Sequence, residues 1–358
     1  MLKSIGIVCL LVAAVVAQAV EVPQMPAAPR PAPGVVVNCN NGQSIQAAVD
    51  ASIAPAEILI TGICVENVLI RDKDVSLRGT QKPSLDGIRS VDPSMPALTV
   101  RGSVIAEIND LSFSNSAGRG LQIRDGARMR IANSLFENNG GAGVIVDSGA
   151  FVIATGLTLT ANPANAFVSN AQFFCTACDV NDGGAAVVST RGAVASLLDS
   201  VVTGGDGVIG AEIGGYADLD CVSVDTPHPC TLNVTGAAAI GTFGGTAVLF
   251  GAGDFTGQLV ADDRGTVRLD GAIQRITSSG GQPNVVDSLG QIIVSPLFGA
   301  QSLLRDTAAT HFGRVLLTGD STLKGSIQCS GAADAFLDPT VIRLPGSSVT
   351  GCEHGSVR

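Results

Sequence analysis

The sequence predicts an all-β protein wound as a parallel β-helix of about ten coils, capped at its N-terminal end by a short helix. Three observations predict it: a repeat of 21 to 24 residues, short runs of alternating apolar residues inside each repeat, and abundant glycine at the breaks. The repeat is marked by a small-residue turn at Gly102, Gly126, Gly149, Asn170, Gly192, Gly215 and Gly236, with spacings of 24, 23, 21, 22, 23 and 21. Similar text surrounds each turn, as Leu121-Gln-Ile-Arg-Asp-Gly-Ala and Val144-Ile-Val-Asp-Ser-Gly-Ala show. A period in this range belongs to a solenoid, whose units bury their apolar faces only against one another.

Each unit is built of strands. Leu121 and Ile123, then Met129 and Ile131, then Leu135 alternate with polar neighbours, which reads as three short strands per coil. The Leu-x-x-Leu-x-Leu text of leucine-rich repeats and the 3.6-residue stripe of helical repeats are both missing. The 44 glycines supply sharp turns. At the turn after the second strand, Asn133, Thr155, Thr176 and Asp199 align in one column. Asn109 or Asp110, and Asp220, extend it with a one-residue adjustment. Short polar side chains there bond neighbouring backbone, so the column reads as a structural ladder.

The coil text and the entry segment Cys39-Asn-Asn-Gly-Gln-Ser-Ile-Gln-Ala-Ala-Val-Asp together resemble the right-handed parallel β-helix, or pectin lyase-like, superfamily over roughly residues 39–352. The resemblance implies a right-handed winding and an amphipathic helix plugging the first coil. Ile45, Ala48 and Val49 share one helical face, and Ser44 suits the N-cap. Without such a plug the first coil would expose apolar interior and unpaired strand edges. The resemblance implies no single activity, because the superfamily holds lyases, hydrolases, esterases, epimerases and adhesins.

Residues 1–19 read as a secretory signal, with Lys3, an apolar run from Ile5 to Ala17 and a small-x-small site at Ala17-Gln18-Ala19. The run is too short to span a bilayer comfortably, and Cys9 lies too early in it for a lipoprotein box. Residues 20–37 form a Pro-rich linker (Pro23, Pro26, Pro29, Pro31, Pro33), expected to be extended and mobile. The β-helix domain is expected over 38–358. Eight cysteines remain after the signal, an even number that fits disulfides in an exported protein. Nearest-neighbour pairing gives Cys39 with Cys64, Cys175 with Cys178, Cys221 with Cys230 and Cys329 with Cys352, although sequence alone leaves the connectivity open. A redox role for Cys175-Thr-Ala-Cys178 lacks its βαβ setting, and a zinc site lacks a second CxxC or paired His.

Formal charge is −10, and removal of Lys3 leaves 20 basic against 31 acidic residues, or −11. That balance opposes binding to nucleic acid, which depends on neutralising phosphates, and to anionic lipid.

In enzymes of the resembled family the substrate groove runs along the first strands. The expected outward column there is Thr99, Gln122, Ile145, Val168, Val188, Glu212 and Asn233. It offers one acid and no base, against the Asp clusters of calcium lyases or the carboxylate pairs of hydrolases. A slip of one residue would exchange this column for the interior one. Connections such as Asn115–Gly120 are too short to wall a deep groove; the one long excursion runs from Arg78 to Ala97. The chain has no Trp and one Tyr, Tyr216, and its 12 Phe mostly occupy positions suited to the interior. Ile145, Val168 and Val188 form an apolar outward stripe, a candidate contact surface. If the protein is catalytic, Glu212, Asp125, Asp147, Arg124 and Arg191 are the candidates.

Other patterns carry less. Asp225-Thr-Pro-His228-Pro-Cys230 reads as a Pro-rich disulfide loop, Gly205-Asp-Gly-Val-Ile-Gly210 as a coil turn, and Asp262-Asp263-Arg264 as solvated turn charge. One sequon stands at Asn233-Val-Thr235. No metal or cofactor motif is present. The reading favoured is an exported, non-catalytic binding or structural module of the cell surface, periplasm or extracellular space, with a polysaccharide or another surface protein as partner. The alternative is a carbohydrate-active enzyme, a lyase, hydrolase or epimerase acting on acidic polysaccharide.

Overall fold

The computed structural model describes residues 24–25, 34–181, 183–204, 208–221, 230–251, 253–270, 273–277, 283–295, 303–304, 306–319 and 321–352. The signal segment, the linker prolines and the Asp225–His228 motif lie outside them. The described chain is a parallel solenoid, as expected. Its second strands form one continuous sheet of 14, from Val35–Asn38 to Asp334–Leu337, so the winding is longer than the predicted ten coils. Gly236, expected as a turn marker, lies inside the strand Thr231–Thr242, and the turn itself falls at Phe243–Gly245, so the small-residue marker loses its register there. The chain joins the sheet at Val35, inside the stretch expected to be linker, by pairing Val35–Asn38 with Ala56–Thr61. Upstream, Met25 is buried and its carbonyl accepts a bond from Arg130, so this part of the expected mobile tether is docked on the second-strand face.

The cap is a helix over Ile45–Ala51. Ser44 Oγ accepts from Ala47 N–H at 3.1 Å, and the Glu66 carboxylate takes the Ile45 N–H at 2.6 Å. Those two oxygens satisfy donors that a helix start leaves open. Ile45 and Val49 are buried against the first coil, while Lys73 Nζ binds the Val49 and Ser52 carbonyls at the other end. Among the described residues no helix is long and apolar enough to cross a membrane.

Alternation sends every second residue inward. Leu98, Leu121, Val144, Ala166 and Val187 stack in one column of the first strands, and Phe113 stacks on Phe136 with centroids 4.9 Å apart. Each fully buried Leu, Ile or Val of this kind contributes about 1.5–3 kcal/mol. All four expected disulfides form: Cys39–Cys64, Cys175–Cys178, Cys221–Cys230 and Cys329–Cys352. The first ties the cap to the first coil and the last closes the C-terminal end. The excursion from Arg78 to Ala97 is not one loop, because Gly87–Arg89 is a third strand within it. Buried Asp86 organises its first part by accepting from Gly62 N–H at 2.7 Å and Gln81 N–H at 2.6 Å.

The polar column after the second strand divides in two. Asp110, Asn133 and Asp199 take positive φ at the turn itself, with Gly156 and Ala177 in the same place. Thr155, Thr176 and Asn109 lie one residue earlier, as the last paired residues of their strands, and Asp220 takes the same register one residue before the end of its strand. Threonine is β-branched and resists positive φ, whereas Asn and Asp tolerate it. The continuous side-chain ladder stands at the next corner and was not foreseen. Asn139 Oδ1 accepts from Ser116 N–H at 3.1 Å, and Asn162 Oδ1 accepts from Asn139 N–H at 3.1 Å. Their amide nitrogens donate to the Phe113 and Phe136 carbonyls at 2.9 and 3.0 Å. An amide side chain carries both a donor and an acceptor, so one buried Asn per rung serves two backbone groups.

Beyond Cys230 the coil changes form. Third and first strands fuse into Thr231–Thr242 and then Gly253–Ala261, with bulges between Asn233 and Ala239.

Candidate functional site

Register places the outward column of the first strands at Thr99, Gln122, Ile145, Phe167, Val188 and Gly210. Val168 therefore does not belong to the apolar stripe. It points inward and is 0% exposed, and Phe167 holds the outward place. The expected column had slipped by one residue at this strand, which exchanges the two faces. Ile145 and Val188 stay outward. Asn233 also leaves the column, because it pairs with Thr203 on the third-strand side of the fused strand.

Glu212 belongs to a neighbouring outward column, two residues further along the strands. Pairing runs Arg71–Arg101–Arg124, and Asp147–Ser169–Thr190–Glu212. The register Ile123 to Val146 sets Arg124 opposite Asp147 and joins the two series. Three arginines thus stack on successive rungs. Each is the last residue of its strand, in Ile70-Arg71, Val100-Arg101 and Ile123-Arg124, so the row is visible in the sequence as a recurring apolar-Arg strand end.

A concavity of about 610 Å³ lies on this face, lined by Arg119, Gln122, Arg124, Ile145, Asp147, Ser148, Phe167, Ser169, Asn170 and Arg191. Its floor is apolar, from Ile145 and Phe167. Its walls are side chains, since the connections are short. Three guanidinium groups line it with one carboxylate, and counting Asp125, which pairs with Arg124, the local charge is +1 on a chain of −10. Arg119 and Arg191 have no ion-pair partner among the described residues. Of the five catalytic candidates, Arg124, Asp147 and Arg191 meet here. Asp125 stands in the adjoining turn at φ 58°, with Arg124 Nε 3.0 Å from its carboxylate. Glu212 is exposed and lies three rungs from Asp147, or about 14 Å at the strand spacing. That exceeds the span of a hydrolytic carboxylate pair. Asp147 itself accepts from Gln122 Nε2 at 2.9 Å, which leaves the nearest acids already engaged.

A second group of acids stands on the outward face of the second strands, where the sequence reading placed only a ladder. Alternation in Tyr216-Ala-Asp218-Leu-Asp220 turns Tyr216, Asp218 and Asp220 to one side of a strand. Tyr216 donates to Asp218 Oδ2 at 3.2 Å, and Arg268 Nη2 lies 2.7 Å from Asp270 Oδ2 two rungs on. Burial, partly offset by hydrogen bonds from Ser196 and Tyr216, pushes the Asp218 carboxyl up to about 6. Burial, with the charges of Asp218 and Asp199, pushes Asp220 up to about 7. Burial raises Asp270 as well, against the pull of Arg268, and burial followed by Asp218 raises the Tyr216 phenol. Carboxyls at i and i+2 of a strand are separated by about 7 Å, a hydrolytic spacing in principle. With 3% and 4% of their surface exposed, Asp218 and Asp220 are closed to a polymer.

No group of three or more His, Cys, Asp or Glu is placed to hold a metal among the described residues. The expectation that phenylalanine is interior holds for Phe113, Phe136 and Phe173 but not for Phe167, Phe243, Phe312 or Phe336, which lie outward. Asp263 and Arg264 stand in a turn at positive φ.

An outward groove of side chains on stacked parallel rungs defines the class: a parallel β-helix presenting a shallow surface site. The family described as right handed beta helix region matches residues 57–212, which include this whole concavity. Two solved structures resemble the chain. One is the catalytic unit of the thermostable GH87 α-1,3-glucanase from Streptomyces thermodiastaticus strain HF3-3, at 13% identity and a TM-score of 0.34, covering 92% of this chain and 71% of that one. The other is the Agl-KA catalytic domain, at 12% identity and a TM-score of 0.26, covering 91% and 70%. No curated protein matches the sequence.

Proposed function

We propose that this is an exported, non-catalytic module that binds an acidic polysaccharide along its first-strand face. One observation carries the reading: a cationic concavity with an apolar floor stands on a strongly acidic protein, and its one carboxylate is already bonded to Gln122. Guanidinium groups bind sugar carboxylates through paired N–H donors, and Phe167 with Ile145 offers a flat apolar surface to a pyranose face. General acid–base cleavage needs two titratable groups poised on either side of a bond, which the concavity lacks. Four disulfides fit an oxidising compartment outside the cytoplasm. The test is to incubate the protein with polygalacturonate, alginate and a neutral glucan, then measure retention on each polymer and release of oligosaccharides. Retention on the acidic polymers without release is expected. Release of unsaturated or reducing oligosaccharides that Asp147→Asn abolishes would replace this reading with the enzymatic one.

A further inference from the structure

The turn between first and second strands changes its chemistry along the solenoid, and the change produces an unusual surface. At Asp125-Gly126, Ser148-Gly149 and Arg191-Gly192 this turn places two residues in succession at positive φ, the second being glycine. Further on, bulky residues occupy the same two places. Ile213 and Phe243 take the first, at φ 49° and 48°, and Leu289 and Phe312 take the second, at φ 68° and 66°. A left-handed conformation costs an ordinary L-residue about 1–2 kcal/mol. These four side chains are also 53%, 62%, 47% and 60% exposed, so burial does not offset that cost. The folded chain alone gives no reason for them.

Their positions are in register. Gly244, Arg264, Leu289 and Phe312 are joined in series by backbone bonds: Gly244 N–H to Asp263 O, Arg264 N–H to Ser288 O, and Leu289 N–H to His311 O. Phe243, Asp263, Ser288 and His311 form the parallel row beside them. The two rows line a concavity of about 650 Å³ in which rings and aliphatic groups alternate with a guanidinium, a carboxylate, a hydroxyl and an imidazole. His311 Nδ1 lies 2.8 Å from Asp287 Oδ1, which orients its ring.

We infer that this strip is the continuation of the polysaccharide track, so that one long chain lies along the turn edge from the arginine concavity to Phe312. The inference rests on the binding reading above and extends it to a second subsite with different chemistry. Two arguments select a polysaccharide. A ridge two residues wide with four exposed apolar side chains falls well short of the roughly 1,200 Å² that a stable protein interface buries, which disfavours a second copy or a protein partner. Pyranose rings combine apolar faces with hydroxyl edges, the same alternation the strip presents. Continuity supports the track as well. The turns at Ser148, Asn170 and Arg191 border the first concavity, and Ile213 and Phe243 are the next two in line. From Asp125 to His311 there are eight rungs, about 38 Å at the strand spacing, a length only an extended chain would use.

The test compares a trimer and a dodecamer of galacturonate by titration calorimetry, on the wild type and on Phe243→Asn/Phe312→Gly. Both replacements suit positive φ, so the fold is kept, and an unshifted melting temperature checks it. The trimer is expected to bind wild type and variant equally, through the arginine concavity. The dodecamer is expected to bind the wild type at least tenfold more tightly than the trimer, and the variant is expected to lose about tenfold of that gain. Equal dodecamer affinity for both proteins would overturn the inference while leaving the binding reading intact. Absence of binding by either oligomer to the wild type would overturn both. Dimerisation, or cosedimentation with phosphatidylcholine vesicles, that the variant abolishes would give the strip to another occupant and overturn it too.

Discussion

Residues 98–204 and residues 231–317 wind the same sheet with different corners. In the first stretch three separate strands make a coil, an asparagine ladder fills one corner, and the turn into the second strand reads Asp125-Gly126-Ala127 or Arg191-Gly192-Ala193. In the second, two strands fuse, a single buried asparagine, Asn284, bridges Leu259 N–H and Thr307 Oγ1 among the described residues, and the turn reads Asp263-Arg264-Gly265, Ser288-Leu289-Gly290 or His311-Phe312-Gly313. Glycine has moved one place along. Ile213-Gly214-Gly215, between the two stretches, and Phe243-Gly244-Gly245, at the start of the second, carry it in both places. Winding thus depends on the inward aliphatic column, which both stretches share, and tolerates more than one corner. The corners in turn decide what the surface displays: arginines around an apolar floor in the first stretch, exposed rings in the second.

The sharpest way to break that contrast is at the displaced glycine. A Cβ on Gly265 would lie 1.9 Å from the carbonyl oxygen of Gly241 on the preceding rung. Gly265→Ala is expected to cost about 3 kcal/mol or more, whereas Ala193→Gly at the equivalent place of the first stretch should cost about 1 kcal/mol. Urea unfolding of the two variants measures both, and similar losses would show that the corners are alike.

Between the stretches, the buried carboxyls give a pH-dependent comparison. The Asp220 carboxyl titrates at about 7 in the folded protein against 3.8 for the ordinary group, so folding favours its protonated form. The stability it contributes is full below about pH 4 and is lost as pH rises through 7. Asp220→Asn should therefore raise Tm by about 2–4 °C at pH 8 and leave it unchanged at pH 4. An equal shift at both pH values would mean that burial does not perturb the group. The smallest effect is expected at Phe243→Asn alone, which restores a residue type that the first stretch uses at this corner, as at Asn170. Tm should stay level or rise by about 1–2 °C, because little burial is lost and strain is relieved. A fall of several degrees would show that the exposed ring is structural after all.

The repeat period and the alternation were enough to read the winding; the cap followed from the family resemblance with the shared face of Ile45, Ala48 and Val49, and the disulfides from nearest-neighbour pairing of eight cysteines. They were legible because inward residues, cap and cysteine pairs follow short-range rules. The number of coils was not, since the marker Gly236 lies in a fused strand, where the turn comes later at Phe243–Gly245 and breaks the 21- to 24-residue spacing. The site was half legible. Arg124, Asp147 and Arg191 were identified, yet Val168 was read as outward when Phe167 is, because both neighbours are apolar and alternation cannot separate them. Arg119 joins the concavity from the preceding connection, a contact that no strand pattern encodes. Tyr216, Asp218 and Asp220 do alternate in plain view, but a burial that depends on neighbouring coils cannot be read from the strand alone.

The central proposition is that guanidinium groups on the first-strand face hold an acidic saccharide. Titration of trigalacturonate into the wild type and into Arg119→Ala/Arg191→Ala, at low and at high salt, tests it directly. Binding at least tenfold weaker in the variant, with the difference shrinking as salt rises, is the predicted result. Affinity that is the same in both proteins and indifferent to salt would contradict it.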